Sequence, residues 1–314
     1  MKAVVVTRNG GPEVLEMRDI PAPTPKAGEV LVRVEAFGIN FADTMIANGT
    51  YPTSPKPPFV AGMEYAGTIE GTGERVMGLV PSGACAELVA APRAVLFPAP
   101  KQWSAAEAAA FLVNYLTAYF AYWMAAVKSG DRVLIHAVAG GVGTAAVEIG
   151  KIMGLEMYGT SSSPEKLERV KKLGLDHGIN YREQDYEQAI AQQTNGEGVH
   201  AVLEMLGGEH TAKSTRCLRA LGRLIVYGTA TGRPPQFDFS AMFSRNASVH
   251  PLWLTPLFAY RDLITEAMEK MMRWGAEGKV HPIVGHELPM EKAAEGYRLL
   301  LERKNFGKVV LHVK

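Results

Sequence analysis

The chain has very little cysteine. Of its 314 residues only Cys85 and Cys217 are cysteines, and they lie far apart in the sequence. Such a pair provides neither a disulfide framework nor a cysteine-based metal site. The amino-terminal stretch MKAVVVTRNGG also has an apolar run that is too short for a secretory signal peptide. We therefore expect a cytoplasmic protein in a reducing compartment.

An excess of charge of either sign is absent as well. The sequence has 33 basic and 32 acidic residues, which gives a formal net charge of +1. It contains no basic block, so nucleic acid and anionic membrane surfaces are poor candidates for its main partner. A neutral or compact ligand fits this balance better. With 47% hydrophobic residues, the chain is long enough for one or two packed domains.

Long hydrophobic runs are missing apart from one uncharged stretch, residues 108–127 (AAAFLVNYLTAYFAYWMAAV). A run of about 18 such residues is a candidate membrane span. This one, however, is rich in alanine and tyrosine, contains Asn114 and Thr117, and follows the capping-box sequence SAAE. We predict a buried helix of a soluble domain and no membrane span.

The hydrophobic pattern changes at Asp131. Before it, short β-branched runs such as KAVVV and EVLVRVEAFGI are separated by proline and glycine clusters. After it, strands and helices alternate, as in the strand RVLIHAV and the helix GTAAVEIGKIM, which is typical of a doubly wound parallel α/β sheet. We predict a β-rich first domain over residues 1–112, a dinucleotide-type domain over 113–254, and a return to the first domain over 255–314.

The stretch AVAGGVG, residues 137–143, joins the first strand of the alternating region to its helix. Ala137, Gly140 and Gly143 form A-x-x-G-x-x-G, a variant of the dinucleotide fingerprint. Glycine lets backbone N–H groups approach a phosphate, and the start of the helix adds a partial positive charge. A glycine-rich turn can also be purely structural. Its position between a strand and a helix, with further βα units after it, favours a dinucleotide site.

The next strand is followed by serines, where NAD-binding chains carry an acidic residue for the ribose hydroxyls. These are Ser161, Ser162 and Ser163, and Lys166 comes shortly after them. Hydroxyl donors and a cation suit a 2′-phosphate, which an acidic residue would repel. We therefore predict NADPH as the cofactor. The alternative is that Ser163 and Pro164 only begin a helix and that Lys166 is solvated.

Several stretches together resemble one known family; they are HAVAGGVGTAAVEIGKIMG, GTSSSPEKLERVKKLGLDHGINYRE, GINFADTMIANGTYP and GMEYAG. They are similar to quinone oxidoreductases of the zeta-crystallin type, with the vesicle amine transport protein relatives, in the zinc-independent branch of the medium-chain dehydrogenase/reductase superfamily. The resemblance covers nearly the whole chain. It implies a GroES-like β-barrel catalytic domain, a Rossmann domain, NADPH in the cleft between them, and a homodimer.

The positions that hold zinc ligands in related zinc alcohol dehydrogenases differ in this chain. By the resemblance these positions are Asn40, Met63 in GME, and Asn114. Amides and a thioether do not make the nitrogen and sulfur shell that zinc prefers. His281 and His286 are close in sequence but have no further ligand beside them. We expect no bound metal.

The resemblance also implies which residues bind the cofactor, although each has a structural alternative. Tyr181 could belong to the core, and Trp253 could anchor a dimer edge, because the sixth strand often pairs across a two-fold axis in this family. The implied contacts are Asn40 and Thr117 with the nicotinamide; Gly140, Gly141, Val142 and Gly143 with the pyrophosphate; Ser161, Ser162, Lys166 and Tyr181 with the adenosine 2′-phosphate; Gly228 and Thr229 with the ribose or pyrophosphate; Leu252, Trp253 and Leu254 near the nicotinamide; and Asn305 at the edge of the cofactor site.

Without zinc to polarise a carbonyl, ordinary alcohol oxidation is disfavoured. Hydride from NADPH then needs an acceptor that already delocalises charge, and a quinone is our first choice. Asn40 and Tyr51 are the candidates for contacting its oxygen, although Tyr51 could equally pack beside Pro52. Two alternatives stay open: an NADPH-dependent reductase of 2-alkenal or enone double bonds, and an NADPH-binding structural or interaction protein with little turnover.

Overall fold

Short, mostly antiparallel strands occupy the first hundred residues, and parallel strands with helices follow from residue 132. The structure is a computed structural model, which describes residues 1–313. Its strands are β1 (Lys2–Val6), β2 (Leu15–Asp19), β3 (Glu29–Ile39), β4 (Phe59–Val60), β5 (Glu64–Ile69), β6 (Arg75–Leu79), β7 (Leu88–Pro92), β8 (Phe97–Pro98), β9 (Arg132–Ile135), β10 (Glu156–Ser161), β11 (His177–Asn180), β12 (Val199–Glu204), β13 (Leu218–Val226), β14 (Ser248–Pro251), β15 (Val284–Pro289) and β16 (Lys308–His312).

The helices follow the strands along the chain and cover most of the remaining regular structure. Three short 3-10 turns add to them at Pro12–Val14, Arg93–Val95 and Met290–Lys292. The α-helices are α1 (Phe41–Asn48), α2 (Ala105–Ala109), α3 (Leu112–Ala125), α4 (Gly141–Met153), α5 (Pro164–Leu173), α6 (Tyr186–Gln193), α7 (Glu209–Arg216), α8 (Phe239–Arg245), α9 (Leu254–Leu257), α10 (Arg261–Ala276) and α11 (Ala293–Leu301).

The chain divides into two compact units. The first unit contains residues 1–113 together with the segment from His281 onward, and the second contains residues 114–280. The first unit has a seven-stranded sheet in the order β15-β16-β3-β5-β6-β8, with β7 also paired to β3, and a three-stranded sheet in the order β2-β1-β4. The returning strand β16 runs antiparallel to β3, with Val309 opposite Ile39. This register places Lys308 beside the start of α1.

The second unit is built on six parallel strands in the order β11-β10-β9-β12-β13-β14. Leu134, Val202 and Leu224 from its central strands are fully buried, as expected for a sheet covered on both faces. The chain places β10 and β11 on one side of β9 and then returns to β12 on the other. The strand order therefore reverses between β9 and β12, and ligands bind at the carboxyl ends of strands at such a switch point.

The structure places the return to the first unit at His281, whereas the sequence analysis places it at residue 255. The intervening residues include α10, which packs within the second unit. Its Trp274 ring lies 6.4 Å from the Tyr119 ring of α3, and the Lys270 ammonium lies 5.7 Å from the same Tyr119 ring. These aromatic contacts hold α10 against α3, and the hydrophobic pattern of α10 alone does not reveal its partner.

The uncharged stretch 108–127 is divided between the end of α2 and the 14 residues of α3. Within residues 1–313, the structure has no helix with the length and apolarity that a membrane crossing requires. The capping box predicted at its start is present, because Ser104 accepts from the N–H of Glu107, and Glu107 accepts from the N–H of Ser104. The cytoplasmic location stays a prediction.

Candidate functional site

The glycine turn between β9 and α4 is shaped for close approach by a ligand. Gly140 is the N-cap of α4, and the first N–H groups of a helix have no acceptor within it. A Cβ added at Gly143 would lie 2.5 Å from the backbone oxygen of Val138, and one added at Gly141 would lie 2.5 Å from the side chain of Asn114. A larger residue is therefore excluded by backbone atoms at position 143, whereas at position 141 it would require the Asn114 side chain to move. The turn offers backbone donors and the positive end of a 13-residue helix to an anion.

The segment after β10 combines a helix cap with a cation. The Ser163 hydroxyl accepts a hydrogen bond of 3.2 Å from the N–H of Lys166, so Ser163 caps α5 as the structural alternative expected. Lys166 is half-buried on the first turn of α5. Burial, together with the positive charge of Arg169, lowers the pKa of its ammonium. An anion beside Lys166 would relieve both effects, which fits a phosphate group.

Tyr181 lies next to this segment because β10 and β11 are parallel neighbours. Its N–H donates to the backbone oxygen of Ser161 at 3.1 Å. The Tyr181 side chain is exposed, so the core role considered for it is not the role that it has in this structure. Ser161 is buried and Ser162 is half-buried.

The loops after β12, β13 and β14 complete the carboxyl edge of the sheet. A Cβ added at Gly228 would lie 3.3 Å from the Met205 side chain, so the loops after β12 and β13 pack closely. The N–H of Leu252 donates to the oxygen of Val226 at 2.8 Å, and this bond places the segment after β14 beside the end of β13. Leu252 is buried, whereas Trp253 is 40% exposed at the start of α9.

Helix α3 packs on α4 and so approaches the glycine turn. The Tyr122 hydroxyl donates to the Ala146 oxygen at 2.8 Å, and Asn114 lies against Gly141. Thr117 is buried one helical turn after Asn114. In the second unit the predicted cofactor residues are therefore distributed over α3 and the carboxyl edge of one sheet; they are Thr117, Gly140, Gly141, Val142, Gly143, Ser161, Ser162, Lys166, Tyr181, Gly228, Thr229, Leu252, Trp253 and Leu254.

The first unit contains the remaining predicted residues, and Asn40 is the most constrained of them. The Lys308 ammonium donates to Asn40 Oδ1 and to Glu64 Oε2, both at 2.5 Å. Asn40 Nδ2 donates in turn to Glu64 Oε2 at 3.1 Å and to the Gly38 oxygen at 3.2 Å. The side chains of Lys308 and Glu64 are 2% and 0% exposed. Asn40, Glu64 and Lys308 thus form a buried charged cluster.

Glu64 also connects this cluster to α3. Its Oε1 accepts from the N–H of Val113, the second residue of α3, at 2.9 Å. A carboxylate at a helix N-terminus satisfies an orphan N–H and is stabilised by the helix dipole. The single Glu64 carboxylate therefore holds three elements: the start of α1 through Asn40, the start of β16 through Lys308, and the start of α3.

Asp43 lies beside the charged cluster, on the first turn of α1. Its Oδ2 accepts from the N–H of Asn40 at 2.7 Å, while its buried Oδ1 has no hydrogen-bond partner within residues 1–313. Burial raises the pKa of Asp43 to about 7, although the N–H of Asn40 and the Lys308 ammonium favour the ionised form. Near neutral pH the protonated and the ionised forms of Asp43 are therefore both populated.

These contacts limit what Asn40 offers to a ligand. Both amide hydrogens of Asn40 point to internal acceptors, so donation to a substrate oxygen requires that Asn40 release Glu64 or Gly38. Tyr51 lies in the turn after α1, where its N–H donates to the Met45 oxygen at 3.2 Å. Asn305 donates from Nδ2 to the Gly307 oxygen at 3.2 Å. The catalytic roles of Asn40 and Tyr51 stay predictions.

Neither Glu64 nor Lys308 was predicted from the sequence as a residue of the site. Glu64 lies within the stretch GMEYAG, which carries part of the family resemblance, but neither residue was assigned a role from the sequence. The available signal was a charged residue at the start of an otherwise apolar strand. A buried lysine requires an acidic partner, but that partner is 244 residues away in the sequence and cannot be identified from spacing.

The charged cluster does not fit a zinc ion. Zinc prefers cysteine, histidine or carboxylate ligands, and the three positions implied by the resemblance hold Asn40, Met63 and Asn114. The Asn40 oxygen already accepts from the Lys308 ammonium, and an ammonium there would repel a divalent cation. In the described part of the chain, no group of three or more His, Cys, Asp or Glu side chains could hold a metal.

Comparisons with known proteins agree with the two-unit architecture. A family model described as zinc-binding dehydrogenase matches residues 141–276, and one described as alcohol dehydrogenase GroES-like domain matches residues 26–101. The predicted fold class is thereby confirmed: an α/β protein with a GroES-like domain and a parallel Rossmann-like sheet.

Full-length relatives share about a third of their residues with this chain. The synaptic vesicle membrane protein VAT-1 homolog of Rattus norvegicus is 34% identical over 340 residues, covering 99% of this chain and 84% of that protein. The quinone oxidoreductase of Homo sapiens is 32% identical over 326 residues, covering 99% of this chain and 97% of that protein. The quinone oxidoreductase from Thermus thermophilus, solved alone and with NADPH, is 40% identical, with a TM-score of 0.88 and full coverage of both chains.

Proposed function

The chain is a quinone oxidoreductase-like enzyme of the medium-chain dehydrogenase/reductase superfamily, in the family of the quinone oxidoreductases and VAT-1 homologs, and we propose that it transfers hydride from NADPH to a quinone. The observation that carries the proposal is the carboxyl edge of the parallel sheet. There the glycine turn follows β9, the strand at which the order reverses, and the serines and Lys166 follow the neighbouring strand β10. The NADPH complex of the Thermus thermophilus quinone oxidoreductase supports the choice of cofactor.

The residues present fit NADPH in charge and in shape. The N–H groups at the start of α4 would bind the pyrophosphate, at a turn where backbone atoms leave no room for a side chain at Gly143. Ser161, Ser162 and Lys166 would bind the 2′-phosphate, at a place where an acidic residue is missing. When bound, NADPH supplies the hydride. The chain itself contributes binding, orientation and exclusion of water.

The second part of the proposal concerns the molecule that accepts the hydride. A quinone delocalises the electron pair that arrives with the hydride, so it needs no Lewis acid, and the charged cluster offers no metal site. Asn40 and Tyr51 are the proposed contacts for its oxygen. Because both amide hydrogens of Asn40 are already engaged, we expect Asn40 to donate from Nδ2 to the quinone oxygen only after it releases Glu64 or Gly38.

A panel of acceptors tests this proposal. Purified protein is assayed for NADPH and NADH oxidation with a benzoquinone, and in parallel with a 2-alkenal. We expect quinone-dependent oxidation that is faster with NADPH at subsaturating concentration. Oxidation by the alkenal alone would replace the quinone by an enone as the substrate class. Saturable NADPH binding without oxidation by either acceptor would contradict an enzymatic role and favour a binding protein.

We also propose a homodimer that forms through the β14 edge of the second unit. Strand β14 is the last strand of its sheet, and an uncovered edge is open to pairing with another strand. The Phe239 and Phe243 rings of α8, which packs near β13, are both 74% exposed and stack on each other at 5.8 Å. Light scattering on the protein as it elutes from a size-exclusion column tests this proposal. A mass of one chain at micromolar concentration would contradict it.

A further inference from the structure

A buried hydrogen-bond network surrounds His136, which lies between β9 and the glycine turn. The His136 ring contacts the Thr160 hydroxyl of β10 and the Ser214 hydroxyl of α7, both at 3.0 Å. Ser214 also donates to Glu204, the last residue of β12, at 2.6 Å. All four side chains are buried, so they do not contact a ligand at the surface. We propose that this network, the His136 network, positions the loops that bind the dinucleotide; the proposal rests on the proposed function.

The hydrogen bonds fix which ring nitrogen of His136 carries the proton. A carboxylate only accepts, so the single hydroxyl proton of Ser214 goes to Glu204. The Ser214 oxygen then accepts from His136, which requires the proton on Nε2. Nδ1 is left as an acceptor for the Thr160 hydroxyl. The neutral ring therefore has one donor and one acceptor, and each has a buried partner.

The environment of His136 keeps its ring neutral. Burial is the main cause that lowers the pKa of His136, and the nearby His210 and Lys213 side chains act in the same direction. Only Glu204, with an oxygen 3.5 Å from Nε2, favours the protonated ring. The Tyr186 ring meets the His136 ring edge-on, with centroids 4.9 Å apart. A neutral ring is the form that the two hydroxyl partners require.

On one side, the His136 network holds the glycine turn. The Val138 N–H, inside the turn, donates to the Thr160 oxygen at 3.1 Å, and the Thr160 hydroxyl donates to His136. Thr160 also precedes Ser161, so its orientation sets the start of the segment proposed to bind the 2′-phosphate. Two loops with different proposed contacts are thus fixed to one ring.

On the other side, the His136 network holds the loops after β12 and β13. Glu204 Oε1 accepts from the N–H groups of Leu206 and Gly207 at 2.6 and 3.0 Å. The Leu206 oxygen then accepts from the Thr231 hydroxyl at 2.7 Å, which fixes the loop that contains Gly228 and Thr229. The carboxyl ends of four strands, β9, β10, β12 and β13, are therefore connected through buried and partly buried hydrogen bonds.

A pair of variants, one of them isosteric with threonine, separates positioning from general stability. Thr160→Val removes the hydroxyl that His136 Nδ1 accepts, whereas Thr160→Ser keeps it. The matched control is Thr194→Val in the same unit. Thr194 is equally buried, donates to Ile190 and accepts from Gly198, but it lies before β12, at the opposite edge of the sheet. If Thr160→Val does not fold, Ser214→Ala removes the bond on the other side of the His136 ring.

We expect Thr160→Val to lower the affinity for NADPH and the affinity for NADH by the same factor, about tenfold, in calorimetric titrations. The KM for NADPH should rise with it, while kcat at saturating NADPH stays within about twofold of the wild type. Thr160→Ser should restore the affinity. Thr194→Val should lower the melting temperature and leave both affinities unchanged.

Three results would overturn the inference. One is an unchanged affinity in Thr160→Val, or in Ser214→Ala where it is used. Another is an equal loss of affinity in Thr194→Val, which would make the effect one of stability. The third, a wild-type protein that binds neither nucleotide, would overturn the proposed function as well and so differs from the first two.

Discussion

In the first unit a buried ammonium meets a buried carboxylate directly, whereas in the second unit a buried carboxylate is held by neutral donors. Lys308 and Glu64 form the ion pair of the charged cluster. Glu204, in the His136 network, accepts from two backbone N–H groups and the Ser214 hydroxyl. Both arrangements satisfy a buried carboxylate, but only the first depends on a second full charge.

The difference follows from what each cluster connects. The pair Lys308 and Glu64 joins residues 244 positions apart and fixes the returning strand to the first part of the unit. The His136 network connects successive βα loops of one sheet, whose backbone N–H groups are already nearby. An ion pair is therefore more sensitive to the loss of one partner than a network of neutral donors, because the remaining charge stays buried.

Lys308→Met tests this sensitivity and should have the largest effect. The variant leaves the Glu64 carboxylate buried with no cation, which costs about 3–5 kcal/mol of the free energy of unfolding. Chemical denaturation followed by circular dichroism measures the loss. Lys308→Met combined with Glu64→Gln removes both charges and should recover most of it. If the double variant is no more stable than the single one, the direct ion pair is not the main contribution of these residues.

Lys166→Ala removes a positive charge of the second unit that lies outside the His136 network. Because Lys166 is the proposed partner of the 2′-phosphate, NADPH affinity should fall by about tenfold to a hundredfold, and NADH affinity should change little. Titration with both nucleotides measures this. An equal loss for both nucleotides would remove the phosphate role. The contrast with Thr160→Val, which should weaken both, separates direct contact from positioning.

Asp43→Asn tests whether a buried acid beside the charged cluster makes the stability of the protein depend on pH. The folded pKa of Asp43 is raised to about 7, above the value of about 3.9 in an unfolded chain, so the folded state binds more protons between these values. Stability from this group is thus lost as pH rises through that window. Because the two pKa values differ by about 3 units, Asp43→Asn should gain about 3–4 kcal/mol of stability over the wild type between pH 4 and pH 8. Melting curves of both proteins between pH 4 and pH 8 measure this difference. If the two melting temperatures depended on pH in the same way, the raised pKa of Asp43 would be contradicted.

Ser163→Ala should have the smallest effect. Ser163 caps α5, and removal of such a cap costs about 1 kcal/mol of stability. Its hydroxyl is occupied by Lys166 N–H and Glu165, so NADPH affinity should stay within about twofold of the wild type. Parallel unfolding and nucleotide titrations check both values. A large loss of NADPH affinity would assign Ser163 to the phosphate site together with Ser162.

Much of the second unit was predictable because its signals are local. The turn after β9, the serines after β10 and the alternating strands each depend on a few consecutive residues, and the matching family models confirm the fold that they indicate. The position of residues 255–280 in the second unit was harder to predict from the sequence. Helix α10 is amphipathic, and nothing in its own sequence identifies Tyr119 as its partner.

The sequence by itself determined the alternating α/β region and the strand–turn–helix unit proposed to bind a dinucleotide, because short-range patterns of apolar residues and glycines specify them. The resemblance of several stretches to a known family indicated the rest of the fold class and the family. Only the tertiary structure decided where the buried charges lie. Glu64, Lys308 and Glu204 each lie at one end of an apolar strand, but this position does not by itself predict burial, since a charged side chain there is ordinarily solvated. Each becomes stable only when residues from distant elements supply its partner, and that partner is defined by the packing of the sheets.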